Sequence, residues 1–286
     1  TGNYSTAVGY EALAQLNKSG TVGNTAIGYR AGYGQTTAGY ENVYVGYNSG
    51  YTSTGEANVM IGAQSGYSAI LQANMVLVGH AAGNAINNDG ADGTVAIGKS
   101  ALTSLTSGHG NLAIGFEAAK NIISGASNTI IGHQAGQNQD DSSYNTIIGY
   151  RANQSGTSGA GDNNTIVGAH AGGQQATMTG GNNVLMGVEV LQYATSTSGN
   201  TSIGWASGKQ LVTGDNNIFM GYSAGGTTTD VDHTVIIGFQ AGISNMTAAA
   251  DGTIAIGYKS LNALTSGTNN TAVGYEALLS EDTGDF

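Results

Sequence analysis

The sequence predicts an all-β protein, a repetitive β-solenoid or β-roll of about sixteen coils of 17–19 residues. Three observations carry that prediction. One short pattern, typified by Asn24-Thr25-Ala26-Ile27-Gly28-Tyr29-Arg30-Ala31-Gly32, recurs along the chain, with its central glycine at 9, 28, 46, 62, 79, 98, 115, 132, 149, 168, 187, 204, 221, 238, 257 and 274. The residues before each glycine alternate with period two, the mark of a strand. The composition, with 48 Gly and no Pro in 286 residues, suits a stack in which nearly every residue donates to a ladder, which Pro cannot do.

The repeat explains itself position by position, counting from the central glycine. The fifteen spacings run from 16 to 19 residues, with 17 the commonest. Position −1 is Val, Ile or Met in all sixteen copies and position −3 is Thr, Val, Leu or Ile in all sixteen; both are expected to face the interior of the coil. Position −4 is Asn in eleven copies, where an amide makes local turn bonds or stacks in a ladder with the next coil. Position +3 is Ala or Ser in fifteen copies, the exception being Val190, which implies close approach of another backbone. A strand, a glycine corner, a small-residue segment and a polar return loop are too little to fold alone, so consecutive copies must stack. Residues 1–286 therefore read as one continuous repeat domain. A longer period overlies the short one: Gly9, Gly98 and Gly187 are each 89 residues apart, as are Gly79, Gly168 and Gly257, as if five coils had been duplicated as a block.

With −1 and −3 inside, position −2 is expected to point outward. It is apolar in fifteen of sixteen copies, including Tyr44, Met60, Leu77, Ile130, Ile147, Ile166, Leu185, Phe219 and Ile236, with Ser202 the polar exception. A stripe of that length exceeds the few hundred square ångströms of apolar surface that a monomer leaves bare. Identical chains packed around an axis cover it most simply, which predicts a parallel homotrimer.

The charge balance excludes some functions. A net charge of −11 with only seven Lys and Arg offers no basic stripe for nucleic acid or an anionic membrane. The apolar runs are a few residues long, far below the roughly 20 that span a bilayer, and no secretory leader pattern appears. Absence of Cys removes disulfides and thiolate metal sites. Only 9% of residues are charged, against about a quarter in ordinary soluble domains; a surface kept wet by Ser, Thr, Asn and Gln suits a rigid extracellular object.

Candidate chemistry is thin. Gly221-Tyr222-Ser223-Ala224-Gly225 matches the G-x-S-x-G nucleophile elbow, but the same positions read GYRAG at Gly28–Gly32 and GHQAG at Gly132–Gly136, so the repeat demands no hydroxyl. His80 and His133 share a repeat position three coils apart, about 14 Å at one rung per coil, too far for one metal ion. Asp92, Asp162 and Asp251, each at position −6, read as turn residues, since the G-G-x-G-x-D pattern of calcium-loaded rolls is missing. The pairs Asp140-Asp141 and Asp230 with Asp232 lack the aromatic and Arg subsites of a sugar-cleaving groove. No catalytic, cofactor or metal residue is assigned, and the chain is expected not to be an enzyme.

The aromatic stripe is the most informative feature. Position +1 is Tyr, Phe, Trp or His in twelve coils: Tyr10, Tyr29, Tyr47, His80, Phe116, His133, Tyr150, Trp205, Tyr222, Phe239, Tyr258 and Tyr275. A stacked ladder is the structural reading. As a platform for sugar rings or another surface, the stripe makes Tyr29, Tyr47, Tyr150, Trp205, Tyr222 and Tyr258 the candidate glycan or surface contacts.

The segments Asn24-Thr25-Ala26-Ile27-Gly28-Tyr29, Ala101-Leu102-Thr103-Ser104-Leu105-Thr106-Ser107-Gly108 and Leu264 through Leu278 resemble the short tail-fibre and adhesin repeats of phages and bacteria, and more distantly the head repeats of trimeric autotransporter adhesins. The resemblance covers the whole chain. It implies a left-handed, trimeric β-roll, extracellular, on a cell surface or a virion, that mediates attachment to a host or surface glycan. The coils here are longer than autotransporter head repeats. The expected function is the non-enzymatic shaft or attachment segment of an extracellular fibre, either part of a longer fibre or a separate subunit. The alternative is a subunit of a self-assembling filament stacked head to tail, since joining Phe286 to Thr1 would place Gly274 and the next Gly9 21 residues apart.

Overall fold

The structure, a computed structural model, describes residues 4–16, 23–35, 39–70, 72–87, 90–155, 161–174 and 178–284. The chain ends invoked for head-to-tail stacking lie outside the described residues. Every strand has three residues and ends immediately before a repeat glycine. Contacts divide the chain into two compact units, Thr1–Ser143 and Tyr144–Phe286. The first holds β1 (Thr6–Val8), β2 (Thr25–Ile27), β3 (Val43–Val45), β4 (Val59–Ile61), β5 (Val76–Val78), β6 (Val95–Ile97), β7 (Leu112–Ile114) and β8 (Thr129–Ile131). The second holds β9 (Thr146–Ile148), β10 (Thr165–Val167), β11 (Val184–Met186), β12 (Thr201–Ile203), β13 (Ile218–Met220), β14 (Val235–Ile237), β15 (Ile254–Ile256) and β16 (Thr271–Val273), with one short 3₁₀ turn at Ala248–Ala250.

Strand order follows the chain. Pairing is parallel and in register, so that Ala26, Tyr44, Met60 and Leu77 stand over one another in the first unit, and Leu185, Ser202, Phe219 and Ile236 in the second. Parallel strands joined one repeat at a time, each paired with its sequence neighbours, make a β-solenoid with one coil per repeat.

Four residues in every coil turn the chain. Positions −5, 0, +2 and +4 have positive φ in all sixteen copies. The central glycines cluster at φ 130–144°, a region that L-residues rarely enter. At Gly221 a Cβ would also lie 2.5 Å from the Gly238 carbonyl oxygen of the next coil, so the corner closes because Gly221 has no side chain. Backbone bonds between coils continue beyond the strands. From the second coil to the third, Thr25 N–H donates to Asn42 (2.8 Å), Gly32 to Ser49 (2.8 Å) and Gly34 to Tyr51 (2.7 Å), while Gly46 and Asn48 donate back to Ile27 (2.8 Å) and Tyr29 (2.9 Å). Donors alternate in direction around the coil, which explains the absence of Pro.

The strand faces are the reverse of the sequence expectation. Tyr44, Met60, Leu77, Ile130, Ile147, Ile166, Leu185, Phe219 and Ile236 are fully buried and form the core of their coils. Positions −1 and −3, including the strand threonines, point outward and are half-buried or exposed. The strands alternate with period two as expected, but both faces carry apolar residues and the period alone does not say which is enclosed. The nine residues therefore form no lateral stripe.

Inside the coil, position −2 is matched in size to position +4. Ala96 pairs with Leu102 and Ala255 with Leu261, all buried. In seven of the nine coils with a large −2 residue +4 is glycine, Leu185 with Leu191 and Ile147 with Asn153 being the exceptions: a Cβ on Gly50 would meet the Tyr44 ring at 2.3 Å and one on Gly225 the Phe219 ring at 2.6 Å. Ser202, the polar residue at −2, is buried with its hydroxyl donating to Ser207 Oγ (2.8 Å). Position +3 stays small because the neighbouring coil is close; where it is Ser, the hydroxyl donates to a −2 carbonyl one coil on, as Ser49 does to Met60 (2.7 Å) and Ser65 to Leu77 (2.8 Å).

The asparagines at −4 take the ladder alternative. Asn24 Oδ1 accepts the backbone N–H of Asn42 (2.9 Å), Asn42 Oδ1 that of Asn58 (2.9 Å), and Asn183 Oδ1 that of Asn200 (3.0 Å). Nδ2 donates to a loop carbonyl of the next coil at several of these positions, Asn42 to Gly55 (2.9 Å) and Asn183 to Thr197 (2.8 Å). One amide thus serves a buried donor and a buried acceptor on two sides of a coil, at a position where an unpaired group costs about 1–3 kcal/mol.

Candidate interaction surface

Two rows reach the surface from the strand and its corner: the outward residues at −1 and −3, mostly apolar, and the rings at +1. No strand contains a charged residue. In each unit the outward strand face is a strip of Val, Ile, Met, Leu and Thr about 34 Å long, from seven rung spacings of about 4.8 Å. Ile27, Ile61, Met186 and Met220 are among its exposed members.

The +1 rings stack. Tyr10, Tyr29 and Tyr47 follow one another at centroid distances of 5.3 and 5.3 Å, and Trp205, Tyr222, Phe239, Tyr258 and Tyr275 at 4.7, 5.1, 5.3 and 5.0 Å, with interplanar angles no larger than 20°. Phe116 stacks on His133 at 5.0 Å. Where +1 is Ala169, the ring of the following residue, His170, meets Tyr150 edge-on at 5.3 Å and 80°. A second ladder at +5 joins Tyr33, Tyr51 and Tyr67 at 5.1 and 5.0 Å. Sequence reading passed over it, although all three tyrosines stand five residues after a repeat glycine. Arg30 bridges the two ladders, its guanidinium 5.2 Å from the Tyr29 ring centroid and 5.5 Å from Tyr33, and its Nε donates to Glu11 (2.6 Å). That bond raises the Arg30 pKa and, through Glu11, the neighbouring Tyr10 phenol is raised as well.

Stacking decides what the candidate contact residues can offer. Tyr29, Tyr222 and Tyr258 have a ring on each side, so both faces are covered and only ring edges meet solvent. Tyr47 and Trp205 end their runs, and each stacks on one described ring only. Tyr150 holds its edge contact with His170.

The remaining candidates have structural settings. Ser223 follows β13 at a +2 position with φ 50°, is buried, and is succeeded by turn residues rather than the helix of an elbow. Asp92 and Asp251 bond across coils, their Oδ1 atoms accepting the N–H of Ala73 (2.8 Å) and Asp232 (2.8 Å). Asp232 in turn accepts from Asp215 (2.6 Å) and Asp215 from Ser198 (2.6 Å). No three His, Asp or Glu among the described residues are grouped to hold a metal ion. Glu117 lies on the polar row at +2, its carboxyl held below its ordinary pKa by Gln134 (2.9 Å) and Lys120 (2.9 Å).

Fold and surface together define a parallel β-solenoid with an uncharged strand face and ring-stacked corners. A scan against models of known protein families finds no match to the chain, and a comparison with characterised proteins finds none either. No helix among the described residues is long and apolar enough to cross a membrane.

Proposed function

We propose that the chain is a non-enzymatic structural segment, shaft or attachment portion, of an extracellular fibre, and that it associates laterally with copies of itself. One observation carries the reading: the outward strand face is uncharged, mostly apolar with Thr at seven of the sixteen −3 positions, and continuous from coil to coil within each unit, on a scale at which monomers seldom leave apolar surface bare. Identical chains present identical strips, so symmetric packing covers all of them at once. The lateral association first expected of position −2 is thereby transferred to positions −1 and −3. Three copies is the stoichiometry implied by the resemblance to tail-fibre and autotransporter head repeats. The low content of ionic residues supports an extracellular setting, on a cell surface or a virion.

Sedimentation equilibrium tests the assembly. The parent chain is expected to run as an oligomer, with a trimer the expected species. The double variant Ile27→Lys/Ile61→Lys places two charges on strand positions exposed by 43% and 38%. It should keep the parent's far-UV circular dichroism and weaken association at least tenfold, a change of about 1.4 kcal/mol. A parent that is a monodisperse monomer at micromolar concentration contradicts the lateral reading.

A further inference from the structure

The +1 ladder is interrupted in the first unit by a single small residue, and the interruption is shaped for a ring. Ala63 stands between Tyr47 and His80 in three consecutive coils. Register is fixed on both sides: Val45, Ile61 and Val78 are paired strand to strand, Gln64 N–H donates to the Tyr47 carbonyl (2.8 Å), and Ala81 N–H donates to that of Ala63 (2.9 Å). Two rungs separate the flanking rings, about 10 Å, while one stacked ring elsewhere in the ladder takes up 4.7–5.3 Å on each side. The gap therefore has the thickness of one missing ring. Tyr47 is 53% exposed and His80 is exposed too, so the slot opens to solvent. Ala63 is the residue of the intervening rung, half-buried, with Ile61 two residues before it and Gln64 next after it in the chain.

We infer that this slot is a binding site for one hexopyranose ring, held between Tyr47 and His80. The inference rests on the attachment reading above and gives it a location. A pyranose presents C–H groups on its two faces, which suit the faces of aromatic rings, and hydroxyls around its edge, which the open mouth leaves in water or within reach of Gln64. An aromatic side chain from a second copy is the poorer occupant, because most of the exposed rings at +1 are already stacked in ladders of their own. The sandwiched rings Tyr29, Tyr222 and Tyr258 offer no comparable face. Glycan contact is thereby concentrated at Tyr47 among the residues of the stripe.

The test uses saturation-transfer NMR on the full chain, with methyl glycosides of glucose, galactose, mannose and N-acetylglucosamine as probes. At least one should bind with Kd on the order of 1–10 mM, the range for a ligand of about a dozen heavy atoms. Ala63→Tyr restores the residue most common at this position and should complete the ladder, raise the Tm and abolish binding. Tyr47→Ala should weaken binding at least fivefold, and Tyr258→Ala should leave it unchanged. Failure of all four probes at roughly tenfold higher concentration, or binding that survives Ala63→Tyr, overturns the site. Binding of phenol without any pyranoside overturns its assignment to sugar. None of these failures bears on lateral assembly, which sedimentation reads separately.

Discussion

At the scale of single residues, the buried polar groups carry the most specific information. Tyr44 fills the core of its coil, and its hydroxyl is held by two side chains, accepting from Gln35 Nε2 (2.6 Å) and donating to Ser53 Oγ (3.0 Å). Burial pushes the phenol up to about 12, against the smaller opposing effect of Ser53 and Gln35. The raised value means that the folded chain prefers the neutral phenol. Its contribution to stability is complete below about pH 10 and is lost as pH rises toward 12, a loss of about 2–3 kcal/mol for two units. Tyr44→Phe should therefore behave differently on the two sides of pH 10. At neutral pH it should be less stable by about 1–3 kcal/mol, because Gln35 and Ser53 lose a partner. Between pH 10 and 12 its stability should fall less steeply than the parent's. Urea unfolding across that range reads both effects, and parallel slopes would show that Tyr44 titrates normally.

The single coil is the element of this fold, and size matching inside it explains a pattern that alternation leaves open. Outward positions vary little: −1 is Val or Ile except at Met186 and Met220. The inward position −2 runs from Ala to Phe and Tyr, and glycine or leucine at +4 compensates in eleven of the sixteen coils. A residue in a closed coil must fit the other residues of that coil, whereas an outward residue answers only to its neighbours in the row. That difference in variability was present in the sequence and identifies the enclosed face, which period two does not. The number of coils, the strand positions, the glycine corners and the ring ladder were legible because each repeats sixteen times or nearly so. The left-handed +2 position was not, since it is never glycine despite φ of 50–58° in all copies.

Size matching predicts a coupled pair. Phe219→Ala alone should open a cavity and cost about 3–5 kcal/mol. Gly225→Leu alone should clash with the Phe219 ring, since even a Cβ there falls within 2.6 Å of it. Together they recreate the Ala and Leu arrangement of Ala96 with Leu102, and Leu102, Leu191 and Leu261 already adopt positive φ at this position. The double variant should be more stable than the sum of the single changes by at least about 1 kcal/mol. Additive losses in thermal unfolding would mean that the two positions do not share a space.

For the molecule as a whole, the side of the strand that is enclosed decides what is core and what is interface. With −2 inside, each coil has its own core and the uncharged −1 and −3 rows are left for assembly. With −2 outside, the core would consist of Val, Ile and Thr with Leu112, Met186 and Met220, and the large residues Tyr44, Met60 and Phe219 would form the interface. Six methionines report on the difference, because sulfoxide formation follows exposure. Met186 and Met220 occupy −1 positions and are 46% and 37% exposed, whereas Met60 at −2 and Met75, Met178 and Met246 elsewhere are fully buried. Mild oxidation of the dilute chain with hydrogen peroxide, followed by peptide mass spectrometry, should convert Met186 and Met220 first and leave the other four intact until the fold is lost. Oxidation of Met60 ahead of Met186 and Met220 would turn the coil inside out and contradict the account.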